Sequence, residues 1–376
     1  MPVTPRDPLP VPDDLQERCK HALAFAERQL RSLTERHPDF LPLYTRNGRW
    51  NHEGEAWTNW CEGFVAGQMW ILHRHTRDPF WRDTAIHYSN LLRGREHDRN
   101  VHDLGFIFWS SWKRWHDETG DEDLQDVIVQ AGQTMGMRFK EKGQYLRSFV
   151  SDESIFIDIM MNVGIIFHAA RATGDDALWQ KVLAHCHTSR RYLVRGDGST
   201  SHEGIFDLET GAFLRQTTHH GWRDDSSWAR GLTWSMYGFG TVYTYTGDSR
   251  FLQTAELNAQ YYMEHTQHHG VPPNDWTEVN PASPYESSAA AIGACGFFQL
   301  ARLVSDPVRA RAYHEYACQI MDTLTGPEFL AEGIDGWEGI MRHGIYLRRK
   351  GLGVNESVMW GEYFFLEALS RAMAYE

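Results

Sequence analysis

Thr246-Gly247-Asp248-Ser249-Arg250-Phe251-Leu252-Gln253-Thr254-Ala255 reads as the end of one helix and the start of the next. Glycine takes the left-handed conformation that ends a helix. An aspartate directly after it accepts from the free N–H groups of the following helix. The pattern recurs at Thr76-Arg77-Asp78, Thr119-Gly120-Asp121 and Thr173-Gly174-Asp175, and more weakly at Ser305-Asp306. Apolar, aromatic stretches, such as residues 104–115 and 155–172, precede these turns, and amphipathic stretches follow them. Apolar helices alternating with amphipathic ones predict a buried layer and a half-covered one. Helical hairpins repeated without intervening strands build a closed toroid or a solenoid. Short strands are expected only near residues 192–195 and 204–214, between glycine-rich turns. With no linker in view, residues 16–376 read as one domain. The proline-rich residues 1–15 read as a loose arm.

A chain of 376 residues buries a large core without disulfides. Its net charge of −13 argues against nucleic acid and anionic membrane surfaces as partners. The same charge repels an acidic ligand, which would need a locally cationic pocket. The 15 tryptophans offer flat apolar plates for sugar faces, or simply a large aromatic core. Five cysteines, an odd number with no CxxC pair, read as reduced, buried thiols. The opening Met1-Pro2-Val3-Thr4-Pro5-Arg6-Asp7 has no apolar signal core, and no run approaches the roughly 18 apolar residues of a membrane helix. The expected compartment is therefore the cytoplasm. The chain lacks the glycine-rich dinucleotide and phosphate loops, the Gly-x-Ser-x-Gly elbow and the HExxH zinc motif. No cofactor and no metal are expected.

Asp158 stands in Ile155-Phe156-Ile157-Asp158-Ile159-Met160-Met161-Asn162. A carboxylate among apolar residues must be partnered or protonated. Burial would raise its pKa, as suits a general acid. Asn162, four residues on, is placed to support it on a helix. The competing reading is an aspartate favoured by the dipole of a helix start. Asp103, in His102-Asp103-Leu104-Gly105-Phe106, is either a plain N-cap or a carboxylate at a barrel mouth. Together the two would form an acid–base pair for sugar chemistry. Residues 201–234 concentrate polar groups. Arg230 is a candidate fork for a carboxylate, and His202, His219 and His220 are candidate partners for sugar hydroxyls. A surface ion pair with Asp224 or Asp225 competes for Arg230, and a solvated loop competes for the histidines. Trp57 and Trp60 are candidate stacking plates, with core packing as the alternative.

These residues carry a resemblance. The segments 58–64, 102–106, 157–162, 189–197, 226–234, 287–292 and 360–363 stand in order as in the unsaturated glucuronyl hydrolases, which this chain resembles from about residue 50 onward. The resemblance implies an all-α fold, a six-hairpin (α/α)6 barrel with a few short strands in loops. It implies release of 4-deoxy-L-threo-hex-4-enopyranuronic acid from lyase-generated disaccharides, by hydration of the C4=C5 vinyl ether. Carried over by position, the acid/base is Asp158 and its partner Asp103, beside His102. Substrate contacts fall on Trp60, His202, Arg230 and Trp234. The chain departs from the family at His220, where a glutamine is usual, and at Phe149, where a tryptophan is usual. Both sit where substrate contact is expected. A lysine-rich sulfate-binding motif near the C-terminus is absent, with Arg348, Arg349 and Lys350 as possible substitutes. The implied partner is the disaccharide alone, on a monomer or homodimer. Rival readings are an unsaturated rhamnogalacturonyl hydrolase, a sugar epimerase or isomerase on a similar barrel, and a non-catalytic sugar-binding barrel.

Overall fold

The computed structural model describes residues 2–53, 59–279 and 285–374. Its helices pair into six hairpins. The first is α1 (Asp13–Arg36) with α2 (Gly63–Thr76). The second is α3 (Pro79–Asn90) with α4 (Leu104–Phe108), which runs through a π-helical turn (Trp109–Lys113) into α5 (Arg114–Thr119). Then come α6 (Gln125–Gly136) with α7 (Ile159–Thr173), and α8 (Asp176–Tyr192) with α9 (Ala229–Thr246). The last two are α10 (Ser249–His265) with α11 (Ser287–Leu303), and α12 (Pro307–Leu324) with α13 (Met359–Ala372). The second helices form an inner ring, each packed on the next, and α13 returns to α2 to close it. The first helices cover this ring from outside. The fold is an (α/α)6 barrel.

The turn chemistry works as the sequence predicts. Asp78, Asp121, Asp175, Asp248 and Asp306 each accept a backbone N–H at the start of the following helical segment, at 2.9–3.1 Å. Gly120, Gly174 and Gly247 end the preceding helices with φ of 66°, 68° and 68°. The two-layer pattern holds as well. In α11 only Gln299 and Arg302 escape full burial, whereas α10 buries one face through Phe251, Ala255, Asn258 and Tyr262.

Four local expectations need correction. Ser154–Phe156 is a strand, not the first turn of a helix. It pairs with Glu203–Phe206, which pairs in turn with Phe213–Thr217. A fully buried strand shows no polar alternation, so its apolar run read as helix. Residues 104–115 are not one regular helix, because the π-helical turn interrupts them. Tyr192 closes α8, and only an isolated bridge between Val194 and Thr200 follows. The N-terminal arm is docked rather than loose, and α1 already begins at Asp13. The Val3 N–H donates to Thr244 O, the Arg6 N–H to Arg302 O, and Arg302 Nε returns a bond to Arg6 O.

The inner helices approach at backbone distance where glycine permits. A Cβ on Gly238 of α9 would stand 2.5 Å from the Met160 carbonyl oxygen of α7. Gly238→Ala should therefore cost about 1–3 kcal/mol by forcing the two helices apart. Chemical unfolding should show a lower midpoint. An unchanged midpoint would mean that this contact yields freely.

Candidate active site

All six inner helices run in the same direction, so their N-terminal ends meet at one end of the barrel. There they surround a cavity of about 490 Å³. Trp60 precedes α2, Asp103 and Asp158 are the residues before α4 and α7, and Arg230 lies in the first turn of α9. All four line the cavity. Trp360, in the first turn of α13, packs on Trp60 at 4.8 Å between ring centroids. Glu286 precedes α11 and caps it through the N–H groups of Ser288 and Ala289. Each helix N-terminus carries about half a positive elementary charge. The ring thus supplies the local positive field that the overall charge of −13 withholds.

Asp103 stands at the N-cap position of α4, yet its side chain caps nothing. Asn162 of α7 does that work. Its Oδ1 accepts the Phe106 N–H at 2.6 Å, and its Nδ2 donates to Asp103 Oδ1 at 3.2 Å. Gly105 permits the approach, since a Cβ there would lie 2.5 Å from Asn162 Cα. The carboxylate is thereby released from capping and left buried at the cavity wall. Burial pushes its pKa well above the carboxylate range, and the neighbouring charge of Asp158 pushes it further.

Asp158 goes the other way. Burial raises its carboxyl, but contact with His202, reinforced by His102 and Arg230, outweighs burial and leaves it below its ordinary value. The raised pKa expected on Asp158 is found on Asp103 instead. The two histidines are oriented by backbone donors. The Phe149 N–H donates to His102 Nδ1 at 2.9 Å, and the His219 N–H donates to His202 Nδ1 at 3.0 Å. With Nδ1 accepting, the imidazole hydrogen sits on Nε2 in both rings. His102 Nε2 lies 3.4 Å from Asp103 Oδ1, and His202 Nε2 lies 3.4 Å from Asp158 Oδ2. Burial, reinforced by Arg138, pushes His102 down to about 3, so that ring is neutral.

The other predicted residues divide. Phe149 lines the cavity and packs on His102 at 5.2 Å. His219 lines it from the rim, with Nε2 3.0 Å from the buried carboxylate of Glu203. His220 stacks on Trp228 at 4.5 Å and 11°, and burial holds its pKa well below the usual value. Arg230 lines the cavity, but not as a free fork for an acid or as a surface pair with Asp224 or Asp225. Its two terminal nitrogens donate to the carbonyls of Ile345 and Tyr346, with Nη2 at 3.0 Å from the latter. Glu286 lies 3.6 Å away, and Trp228 and Trp360 flank the guanidinium. Trp234 does not line the cavity. It is buried behind Phe106, at 4.9 Å between centroids. Trp57 lies outside the described residues. The sequence reading missed Phe156 and Tyr346 as lining residues, and Glu203 and Glu286 as buried acids that hold His219 and Arg230. The only trace of Glu286 in the sequence is its place before the apolar run at Ser287. Of the cationic triplet, Lys350 lines the cavity, Arg348 pairs with Glu278 at 2.8 Å, and Arg349 donates to Trp222 O at 2.9 Å.

A paired acid and carboxylate in a walled cavity can donate a proton and accept one back. The comparisons agree with such chemistry. The sequence model of Glycosyl Hydrolase Family 88 matches residues 26–325. The chain belongs to this family. It is 31% identical over 372 residues to the unsaturated glucuronyl hydrolase of Bacillus sp. (strain GL1), covering 95% of this chain and 96% of that one. It is 29% identical to the enzyme of the same name from Formosa agariphila, over 83% of this chain and 80% of the relative. The crystal structure of the Bacillus sp. GL1 enzyme, described as responsible for glycosaminoglycan degradation, superposes with a TM-score of 0.86. That match spans 95% of this chain and 96% of the other, at 29% identity. Among the described residues of this family 88 chain, no helix is long and apolar enough to cross a membrane.

The buried acid at Asp103 has a consequence for stability. Its folded pKa is raised, so above the ordinary carboxyl value of 3.8 the native state holds a proton that the unfolded chain has lost. The stabilisation it contributes is full at low pH and disappears as pH rises toward the folded pKa. Asp103→Asn should therefore flatten the decline of the thermal midpoint above pH 4, and melt no lower than the unaltered protein at pH 7. A variant with the same slope and a lower midpoint throughout would contradict the raised pKa.

Proposed function

We propose that this family 88 chain releases unsaturated uronic acid from lyase-generated disaccharides, with Asp158 and Asp103 as its acid–base pair. The observation that carries this reading is the pair itself. A buried carboxylate, Asp103, and a half-buried one, Asp158, sit at converging helix N-termini, one shifted up and one down, each facing a histidine Nε2. Such a pair holds one proton between two sites and titrates as a unit.

The chemistry follows from that proton. In the empty site it rests on Asp103. A substrate carboxylate entering the cavity brings a second negative charge near Asp158 and raises its proton affinity. The proton then passes to Asp158, which donates it to C4 of the sugar as the C4=C5 bond opens. Water adds to C5 and returns a proton to the Asp158 carboxylate. The resulting C5 hemiketal opens by breaking the bond from C5 to the ring oxygen, which leaves a ketone at C5 and a hemiacetal at C1. The hemiacetal then breaks the C1–glycosidic oxygen bond, its hydroxyl proton passes to the leaving oxygen, and the second sugar is freed as C1 becomes an aldehyde. Atoms and protons balance, and no cofactor is required. Trp60, Phe149 and Phe156 give the apolar walls, while His102 and His202 orient the acids. Arg230 adds positive charge and ties Tyr346 into the wall.

One closed ring of helices supports a single catalytic domain from residue 16 to 376. Five free cysteines, four of them buried, support the cytoplasm as its compartment. Incubation with a panel of lyase-generated disaccharides should remove the ultraviolet absorbance of the conjugated double bond. Asp158→Asn should slow that loss by about 10²–10⁴-fold. A variant that keeps the full rate would take Asp158 out of the mechanism.

A further inference from the structure

At the far end of the barrel, where the inner helices finish, lies a second cavity of about 450 Å³ that takes part in none of the steps above. Three arginines line it. Arg171 stands in the last turn of α7, Arg302 in that of α11 and Arg371 in that of α13. Among the described residues no acid lines it. Trp109, Tyr237 and Tyr245 supply aromatic walls, and Thr241 supplies a hydroxyl. The docked N-terminal arm closes one side with Val3 and Pro5, fastened by the Val3 N–H on Thr244 O at 2.9 Å.

Cations at helix C-termini answer the helix dipoles, but here they exceed them. The ends of α7, α9, α11 and α13 meet at this cavity and together carry about two negative charges. Against them stand Arg171, Arg302, and a cluster in which one carboxylate serves two arginines. Glu367 accepts Arg114 Nη2 at 3.0 Å and Arg371 Nη2 at 3.1 Å, so the cluster keeps one positive charge. About one positive charge is left over once the helix ends are answered. Arg171 has no carboxylate within ion-pair distance among the described residues. Its guanidinium lies over the Tyr245 ring at 4.9 Å, and its hydrogen bond to Tyr245 O is 3.5 Å long. A local excess of this sign stands out in a chain of net charge −13.

The cavity also reaches inward. A smaller one of about 280 Å³ shares Trp109, Tyr237, Thr241 and Arg371 with it and extends to Phe106, which lines the catalytic cavity from the other side. Trp109 opens the π-helical turn, a feature frequent at functional sites.

We propose that the far cavity binds a sugar-sized organic anion, its carboxylate or phosphate held by Arg171 and Arg302 and its ring by the aromatic walls. Guanidinium forks match both kinds of oxyanion. Flat aromatic faces suit the C–H face of a sugar. The volume falls within the roughly 300–1,000 Å³ of small-molecule sites.

A ligand that binds the native state raises the thermal midpoint saturably. The test follows the midpoint of the full chain at fixed ionic strength against D-glucuronate, glucose 6-phosphate, inorganic phosphate and glucose. At least one organic anion should raise it saturably, inorganic phosphate more weakly, and glucose not at all. The better of the two organic anions tells carboxylate from phosphate. Arg171→Gln and Arg302→Gln should each raise the half-saturating concentration about 5- to 30-fold. Arg302→Lys, which keeps the charge, should recover part of the loss. A response unchanged in both glutamine variants would place the anion in the catalytic cavity and overturn the second site. No response to either organic anion, or an equal one to glucose or inorganic phosphate, would overturn it as well. None of these readouts uses turnover, so the activity proposed above stands or falls separately.

Discussion

Six helices pointing the same way place six positive ends over one cavity, and the chemistry of this barrel depends on that alignment. A chain carrying −13 cannot attract an acidic sugar by its overall field. It can do so only where partial charges are fixed and solvent is thinned. Each inner helix contributes backbone N–H groups and no mobile charge, so the field costs no reorganisation when an anion arrives. The opposite ends of the same helices need the reverse. Arg74, Arg171, Arg302 and Arg371 stand there, in the last turns of α2, α7, α11 and α13. Cations at helix C-termini are the expected complement.

Within that field the two carboxylates are made unequal by their neighbours. Asp103 is buried and Asp158 half-buried, and desolvation alone would raise the pKa of both. Asp158 is drawn back by His202, whose orientation depends on a backbone N–H from a loop. Asp103 is left with a 3.2 Å donor from Asn162 and a neutral imidazole at 3.4 Å, because the Asn162 carbonyl has taken over the capping of α4. A single asparagine therefore links helix termination to the state of the acid. The C-terminal loop is fastened in the same economical way: Arg230 holds the carbonyls of Ile345 and Tyr346, and Glu286 accepts the Ile345 N–H at 3.2 Å.

The repeated helical hairpins were legible in the sequence because their turns are local chemistry, whereas their closure into a six-hairpin barrel was implied only by the resemblance. An aspartate after a left-handed glycine needs no distant partner to end one helix and start another. The strand at Ser154–Phe156 was not legible, since burial on both faces removes the alternation that marks a strand. The positions of Asp103, Asp158, His102 and His202 could be picked out by residue type. The direction of each pKa shift could not, because Asp158 answers to a histidine 44 residues away and Asp103 to an asparagine on the next inner helix. Arg230 looked like a free anion fork because its carbonyl partners lie more than 100 residues downstream. Trp234 was a substrate contact implied by the resemblance, and nothing local to it shows that it packs behind Phe106.

The central claim is that one proton is held between the two acids of the cavity, on Asp103 before substrate arrives. Neutron diffraction from deuterated crystals near neutral pH reads this directly. The account predicts a deuteron on the Asp103 carboxyl, none on Asp158, and deuterons on Nε2 rather than Nδ1 of His102 and His202. Two bare carboxylates, or a deuteron on Asp158 with Asp103 ionised, would contradict it.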